Sequence, residues 1–264
     1  MLLFALVACP QPTPDTGRPS AQEESAPRLA DAADAELEAL VYAVGSGSAN
    51  LARVLVFNAD SDAADAEAYG VGPCPTRQVA DDGLVIVTGG CTSVISGLRY
   101  EGEYRFRDPA TAGGEGGAVE FETAGFSAHT PTGRTVGVEG TLVEEDPDSG
   151  APGEYDVRGW VDDLPVIHSW GIIDCAREGG TTVCDESTWA REVDGLGEIT
   201  ISPEADGSPW RIDGEADGIT IVAPGAGTTY TVQFDDGTSR TFAVEHFEAY
   251  IAEVFEAMNS YDGE

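Results

Sequence analysis

Between residues 98 and 107 the chain alternates without a break. Leu98, Tyr100, Gly102, Tyr104 and Phe106 fall on one side, and Arg99, Glu101, Glu103, Arg105 and Arg107 on the other. A period of two with one apolar and one charged face marks an antiparallel strand half-buried against a core. The same alternation recurs over residues 119–123, 136–143, 155–161, 210–216 and 230–234, at Ile199 and Ile201, at Ile219 and Ile221, and at Phe242 and Val244. Turn sequences separate these runs: Asp81-Asp82-Gly83, Pro131-Thr132-Gly133, Asp146-Pro147-Asp148-Ser149-Gly150, Asp206-Gly207, Asp217-Gly218 and Asp235-Asp236-Gly237. Strand, turn and strand in that order make a meander. About ten strands in series curl or close rather than stay flat. Glycines inside the runs, at Gly97, Gly102, Gly137, Gly140 and Gly159, permit sharp coiling. The expected fold class is therefore mainly β: a large antiparallel meander, either a curved sheet or an incomplete barrel.

Helical periodicity brackets the strands. Over residues 34–44, Leu37, Leu40, Val41 and Val44 form one stripe, so a short helix is expected, broken by Gly45-Ser46-Gly47. Ser48 can cap a second helix with Leu51, Val54, Leu55 and Phe57 turned inward, and the polar run 59–65 reads as a loop or weak helix. At the other end, residues 245–258 place Phe247, Tyr250, Ile251, Val254, Phe255 and Met258 on one side, an amphipathic helix expected to lie across the open face of the sheet.

The apolar opening, Met1 to Cys9, ends in Leu6-Val7-Ala8-Cys9 and is followed by the Pro- and Thr-rich segment 10–20. The tetrapeptide resembles the lipobox of bacterial lipoproteins. The resemblance implies that residues 1–8 are a signal peptide and that Cys9 is lipid-modified and anchors the chain to a membrane of the bacterial cell envelope. Several acyl chains make a stable anchor, since each buried methylene adds roughly 0.8 kcal/mol. Residues 9–29 then read as an extended tether, and 30–264 as a single β-rich domain with flanking helices. No later apolar run approaches the ~20 residues that a membrane helix needs.

Setting Cys9 aside leaves Cys74, Cys91, Cys175 and Cys184, an even number, which in an exported chain reads as disulfides. Three pairings can be drawn. The local one, Cys74 with Cys91 and Cys175 with Cys184, closes two short loops, each stabilising by roughly 2–3 kcal/mol. A zinc site of four thiolates lacks the C-x-x-C spacing.

The 48 acidic residues face 13 basic ones, all arginine, for a net charge of −35. Nucleic acid and anionic lipid surfaces repel such a chain and are excluded as partners. The acids are spread along the whole chain, as solubility or a high-salt surface requires, and not gathered as a divalent-cation loop would be.

Sites of chemistry are sparse. His129, His168 and His246 share no H-x-x-H spacing, so neither a histidine metal site nor any other metal or cofactor site is expected. Nucleophile-elbow, P-loop and dinucleotide motifs do not occur. Asp162-Asp163, near Trp160 and Trp170, is the best pair for a carboxylate hydrolase, against a plain turn in Asp162-Asp163-Leu164-Pro165. Asp60, Asp62 and Asp65, or Asp213, Glu215 and Asp217 on one solvent face of a strand, could attract a cation, against simple surface acidity. The expected function is a non-catalytic envelope lipoprotein that binds a partner or stabilises the envelope. The alternatives are a carrier of an apolar ligand between curved sheet and C-terminal helix, and a carboxylate-based hydrolase.

Overall fold

The structure, a computed structural model, describes residues 26–44, 47–80, 83–107, 120–143, 153–178, 181–185, 190–203, 210–224 and 229–260. After a single 3-10 turn at Leu29–Asp31 come α1 (Asp34–Val44) and α2 (Gly47–Tyr69). The strands follow: β1 (Thr76–Val79), β2 (Leu84–Thr88), β3 (Cys91–Thr92), β4 (Arg99–Arg107), β5 (Glu120–His129), β6 (Thr135–Val143), β7 (Gly153–Val161) and β8 (Ile167–Glu178). The rest are β9 (Thr181–Asp185), β10 (Ala190–Val193), β11 (Gly197–Pro203), β12 (Trp210–Asp213), β13 (Gly218–Pro224), β14 (Thr229–Phe234) and β15 (Ser239–Ala243), with α3 (His246–Ser260) last. Every described pairing is antiparallel. The strands form one continuous meander from β1 to β15, with β3 added beside β4 and β9 beside β8. The sheet is open, its two ends being β1 and β15.

Coiling is concentrated where β4, β5 and β6 cross. Gly102 and Gly140 sit at positive φ, and a β-carbon on either would collide with the carbonyl oxygen of Gly125 or of Asp156. The β4–β5 and β5–β6 ladders both shift register beside Gly125, at Glu103/Tyr104 and Thr123/Phe126. Such bulges bend a strand and sharpen its twist, so one face of the sheet becomes concave.

Two cores fill that face. Beneath α2 and α3, β2 and β4–β7 contribute an aromatic cluster containing Tyr100, Tyr104, Phe121, Phe126 and Tyr155. Tyr104 meets Phe126 edge-on at 4.8 Å, a favourable aromatic arrangement. Beneath α1 and the 3-10 turn, β10–β15 and the start of β8 contribute a mainly aliphatic cluster: Ile167, Ile199, Ile212, Ile219 and Val232 with Leu37 and Leu40, joined by Phe234 and Phe242. Leu29, placed at the end of the tether by composition, is fully buried in this second cluster. Asp217 fixes that turn by accepting from Leu29 N at 2.6 Å.

The helices depart from expectation in two places. α2 runs straight through 59–65, because its buried side is not purely apolar: Leu51, Leu55, Asn58, Asp62 and Ala66 recur at helical spacing and are all buried. It stops at Gly70 (φ 70°), where Val71 N donates to Ala66 O and Gly70 N to Glu67 O, a Schellman ending. Phe57 and Phe255, both expected to face inward, are 63% and 57% exposed because they lie off the buried stripes of α2 and α3.

α3 has its N-terminus capped by α1. The buried Glu38 carboxylate accepts from Glu245 N (2.8 Å) and His246 N (2.9 Å), and also pairs with His246 Nδ1 (2.8 Å). The Tyr42 hydroxyl accepts from Phe247 N (2.7 Å) and donates to Glu38 (3.0 Å). These bonds satisfy donors that every helix start leaves free and set a negative charge at the positive end of the dipole.

Candidate functional site

The most ligand-like surface lies along α2. Its Ala52, Val56 and Phe57 face Phe106 of β4, Phe121 of β5 and Leu142 of β6 across a groove of about 520 Å³, edged by Arg53, Asp60 and Ser61. The size falls within the ~300–1,000 Å³ of small-molecule sites, and apolar walls with a few polar groups are their usual chemistry. The groove borders α2 and is not lined by α3, which buries Tyr250 and Val254 in the aromatic core. The apolar space thus lies elsewhere than expected between sheet and C-terminal helix.

Behind the groove, a buried polar network holds α2 in place. Asp62 accepts from Ser96 Oγ (2.5 Å) and the Tyr100 hydroxyl (2.6 Å), and Asn58 donates to the Tyr250 hydroxyl (3.0 Å). The second carboxylate oxygen of Asp62 is buried without a hydrogen-bond partner among the described residues. Burial pushes the Asp62 carboxyl above its ordinary value of 3.8, against hydrogen bonds from Ser96, Tyr100 and Ser93 that favour the ionised form. Burial likewise raises Asp60, partly offset by the hydroxyl of Tyr104 (3.2 Å) and the charge of Arg77. Asp60 and Asp62 are therefore parts of the α2 packing, with Asp62 in the interior, and do not form a solvated cation run with Asp65.

The other acidic candidates also resolve into contacts. β12 ends at Asp213, so Asp213, Glu215 and Asp217 do not share a strand face: Asp213 pairs with Arg211 (2.6 Å), and Asp217 caps the 3-10 turn. Asp162 is in the β7–β8 turn at φ 49°, pairs with Arg134 (2.9 Å) and accepts from Thr135 N (2.7 Å). Asp163 beside it is 97% exposed. The polar cleft there, about 670 Å³, is lined by Thr132, Arg134, Asp162, Asp163, His246 and Glu253. Burial tends to raise Glu253, but the hydroxyls of Thr130 and Thr132 and the Arg134 guanidinium together hold its carboxyl below the ordinary value. Asp162 and Glu253 are both ion-paired with Arg134, at 2.9 and 3.2 Å, and the lowered Glu253 carboxyl is the reverse of what a general acid needs.

The three histidines lie apart. His129 contacts Ser127, Thr135 and Glu101, His168 contacts Asp156 at 2.7 Å and stacks near Trp170, and His246 joins Glu38. Among the described residues, no group of three or more His, Cys, Asp or Glu is placed to hold a metal ion. Trp160 lies over Gly137, where a β-carbon would overlap the indole ring. Cys74 and Cys91 form a disulfide with Cα atoms 5.9 Å apart, tying the end of the α2–β1 connection to β3. Backbone register sets Cys175 of β8 opposite Cys184 of β9; their side chains, like the whole of the lipobox and Cys9, lie outside the described residues. No helix among the described residues is long and apolar enough to cross a membrane.

Comparison with protein-family models, with curated proteins and with solved structures finds no match to this chain. Of the groove residues, periodicity had marked Phe106, Phe121 and Leu142 only as core. The signal that could have found the groove is Phe57, a large apolar residue a third of a turn off the stripe of α2.

Proposed function

We propose that the chain is a lipid-anchored, non-catalytic binding module of the bacterial cell envelope, tethered through Cys9, that holds the apolar part of a ligand in the groove along α2. The observation that carries this reading is the groove itself: four large apolar side chains, Phe57, Phe106, Phe121 and Leu142, border an opening of about 520 Å³, and Phe57 is 63% exposed. Such an exposed aromatic on a rigid helix is a common mark of a binding surface. The lipobox-like Leu6-Val7-Ala8-Cys9 supports the anchor, and opposition of Cys175 to Cys184 supports a second disulfide and an oxidising compartment.

Two measurements test the two halves of the proposal. Metabolic labelling with a palmitate analogue in a bacterial host is expected to mark the full chain and to leave a Cys9→Ser form unmarked; equal labelling would remove the anchor. Native mass spectrometry of the full Cys9→Ser chain with myristyl alcohol is expected to show one bound molecule, lost in Phe57→Ser. Failure of the unsubstituted groove to bind would remove the ligand-holding role.

A further inference from the structure

The groove does not end at Asp60. Asp60 and Ala64 also line a second hollow of about 650 Å³, whose remaining walls include Glu67, Val71, Pro73 and Arg77. From Ala52 to Ala64 the shared helix rises about 18 Å at 1.5 Å per residue, the length of an extended acyl chain of about fourteen carbons. Polarity changes along that path, from Phe57, Phe106 and Phe121 to the carboxylates of Asp60 and Glu67 and the guanidinium of Arg77.

Register fixes where Arg77 stands. It pairs across to Val87, Val87 to Tyr104, and Tyr104 donates to Asp60. Directly opposed residues share a sheet face, so Arg77 lies on the concave side of the edge strand, in the row that Asp60 overlies. It makes no ion pair within 4 Å among the described residues, although acids outnumber basic residues 48 to 13. Its charge reaches Asp60 without a direct ion pair among the described residues, and a guanidinium so placed is a fork for a phosphate or carboxylate, while Asp60 and Glu67 beside it repel a purely anionic head and attract an ammonium.

Resting on the groove reading above, we propose that the site takes a single-chain amphiphile with a zwitterionic head of ammonium and phosphate. Its chain lies along Val56 and Phe57, its ammonium between Asp60 and Glu67, and its phosphate on Arg77. The test measures binding of three probes with the same myristyl or myristoyl chain to the full Cys9→Ser protein below their micelle concentrations. They are lysophosphatidylethanolamine, lysophosphatidic acid and tetradecylammonium. The zwitterion is expected to bind about tenfold tighter than either singly charged probe, the effect of one charge-assisted contact. Arg77→Gln is expected to weaken the zwitterion about tenfold while sparing the ammonium probe, and Glu67→Gln to improve the lysophosphatidic acid. Both side chains are exposed, so the variants keep the fold. Equal binding of all three probes, unmoved by either variant, overturns the head-group assignment and leaves the groove standing. Binding of none of them, nor of myristyl alcohol, overturns the groove reading as well.

Discussion

The two halves of the sheet are built in contrasting ways. The half under α2 and α3 has a core rich in aromatic rings, a disulfide and a buried carboxylate, one oxygen of which has no hydrogen-bond partner among the described residues. The half under α1 has a mainly aliphatic core with only Phe234 and Phe242 as buried rings among the described residues, and is joined to the 3-10 turn and the start of α1 by part-buried polar bonds: Asp217 on the 3-10 turn and Arg240 donating to the carbonyls of Ala30 and Ala32. Aliphatic burial is non-directional and tolerates no cavity, which suits a scaffold. Directed polar contacts and an incompletely covered helix cost stability and are retained where a surface must stay open to a ligand. On the proposed reading, the contrast divides a half that supports from a half that presents.

The strongest way to break that contrast is to cut into the scaffold. Leu40→Ala is expected to cost ~2–5 kcal/mol, read as a lowered urea midpoint; a loss below ~1 kcal/mol would show that the aliphatic half does not carry the fold. Next comes the joint between the halves. Glu38→Ala leaves two backbone amides of α3 and the Tyr42 hydroxyl without their acceptor and is expected to cost ~1–3 kcal/mol. Hydrogen exchange should accelerate at Glu245 and His246; unchanged exchange there would mean that α3 holds without α1.

A smaller effect separates the halves by pH. The folded state holds the proton of Asp62 more tightly than the unfolded chain, so its penalty is absent below the ordinary 3.8. The penalty grows as pH rises from there through the raised folded value and is constant above it. Asp235 has the opposite sign: hydrogen bonding from Arg211 lowers its carboxyl, so its stabilising contribution is full above 3.8 and lost as pH falls through the folded value. Urea midpoints across that range should therefore show Asp62→Asn gaining on the wild-type chain as pH rises; a flat difference would remove Asp62 from the titration. The smallest change is Phe57→Ser, expected within about 0.5 kcal/mol in stability while abolishing apolar binding, which sharpens the division between supporting and presenting.

The strands most legible in the sequence were β4 and β7, where inward apolar residues alternate with outward residues that are nearly all charged. β2 was not, because Leu84-Val85-Ile86-Val87 is apolar on both faces and carries no alternation. β8 was hidden for the opposite reason: Ser169 is buried and Trp170 points outward beside His168, inverting the expected polarity. The second half of α2 read as polar loop because Asn58 and Asp62 face the core, a choice that pays only once Tyr100, Ser96 and Tyr250 are opposite them. Of the groove, single residues could be seen but not their convergence, which depends on bulges that bring β4, β5 and β6 under one helix. Arg77 belongs to no motif; its meaning comes from register alone.

The cap on α3 also bears on the order in which the chain can be completed. Glu38 and the amides it serves are 207 and 208 residues apart. A chain released N-terminus first carries α1 with its acidic side chain and Tyr42 waiting for a partner that arrives about 200 residues later. Contacts of such separation slow folding, and this one cannot form until residues 245 and 246 are present. The joint between α1 and α3 therefore closes only once residues 38 and 245 lie on the same side of any barrier the chain crosses.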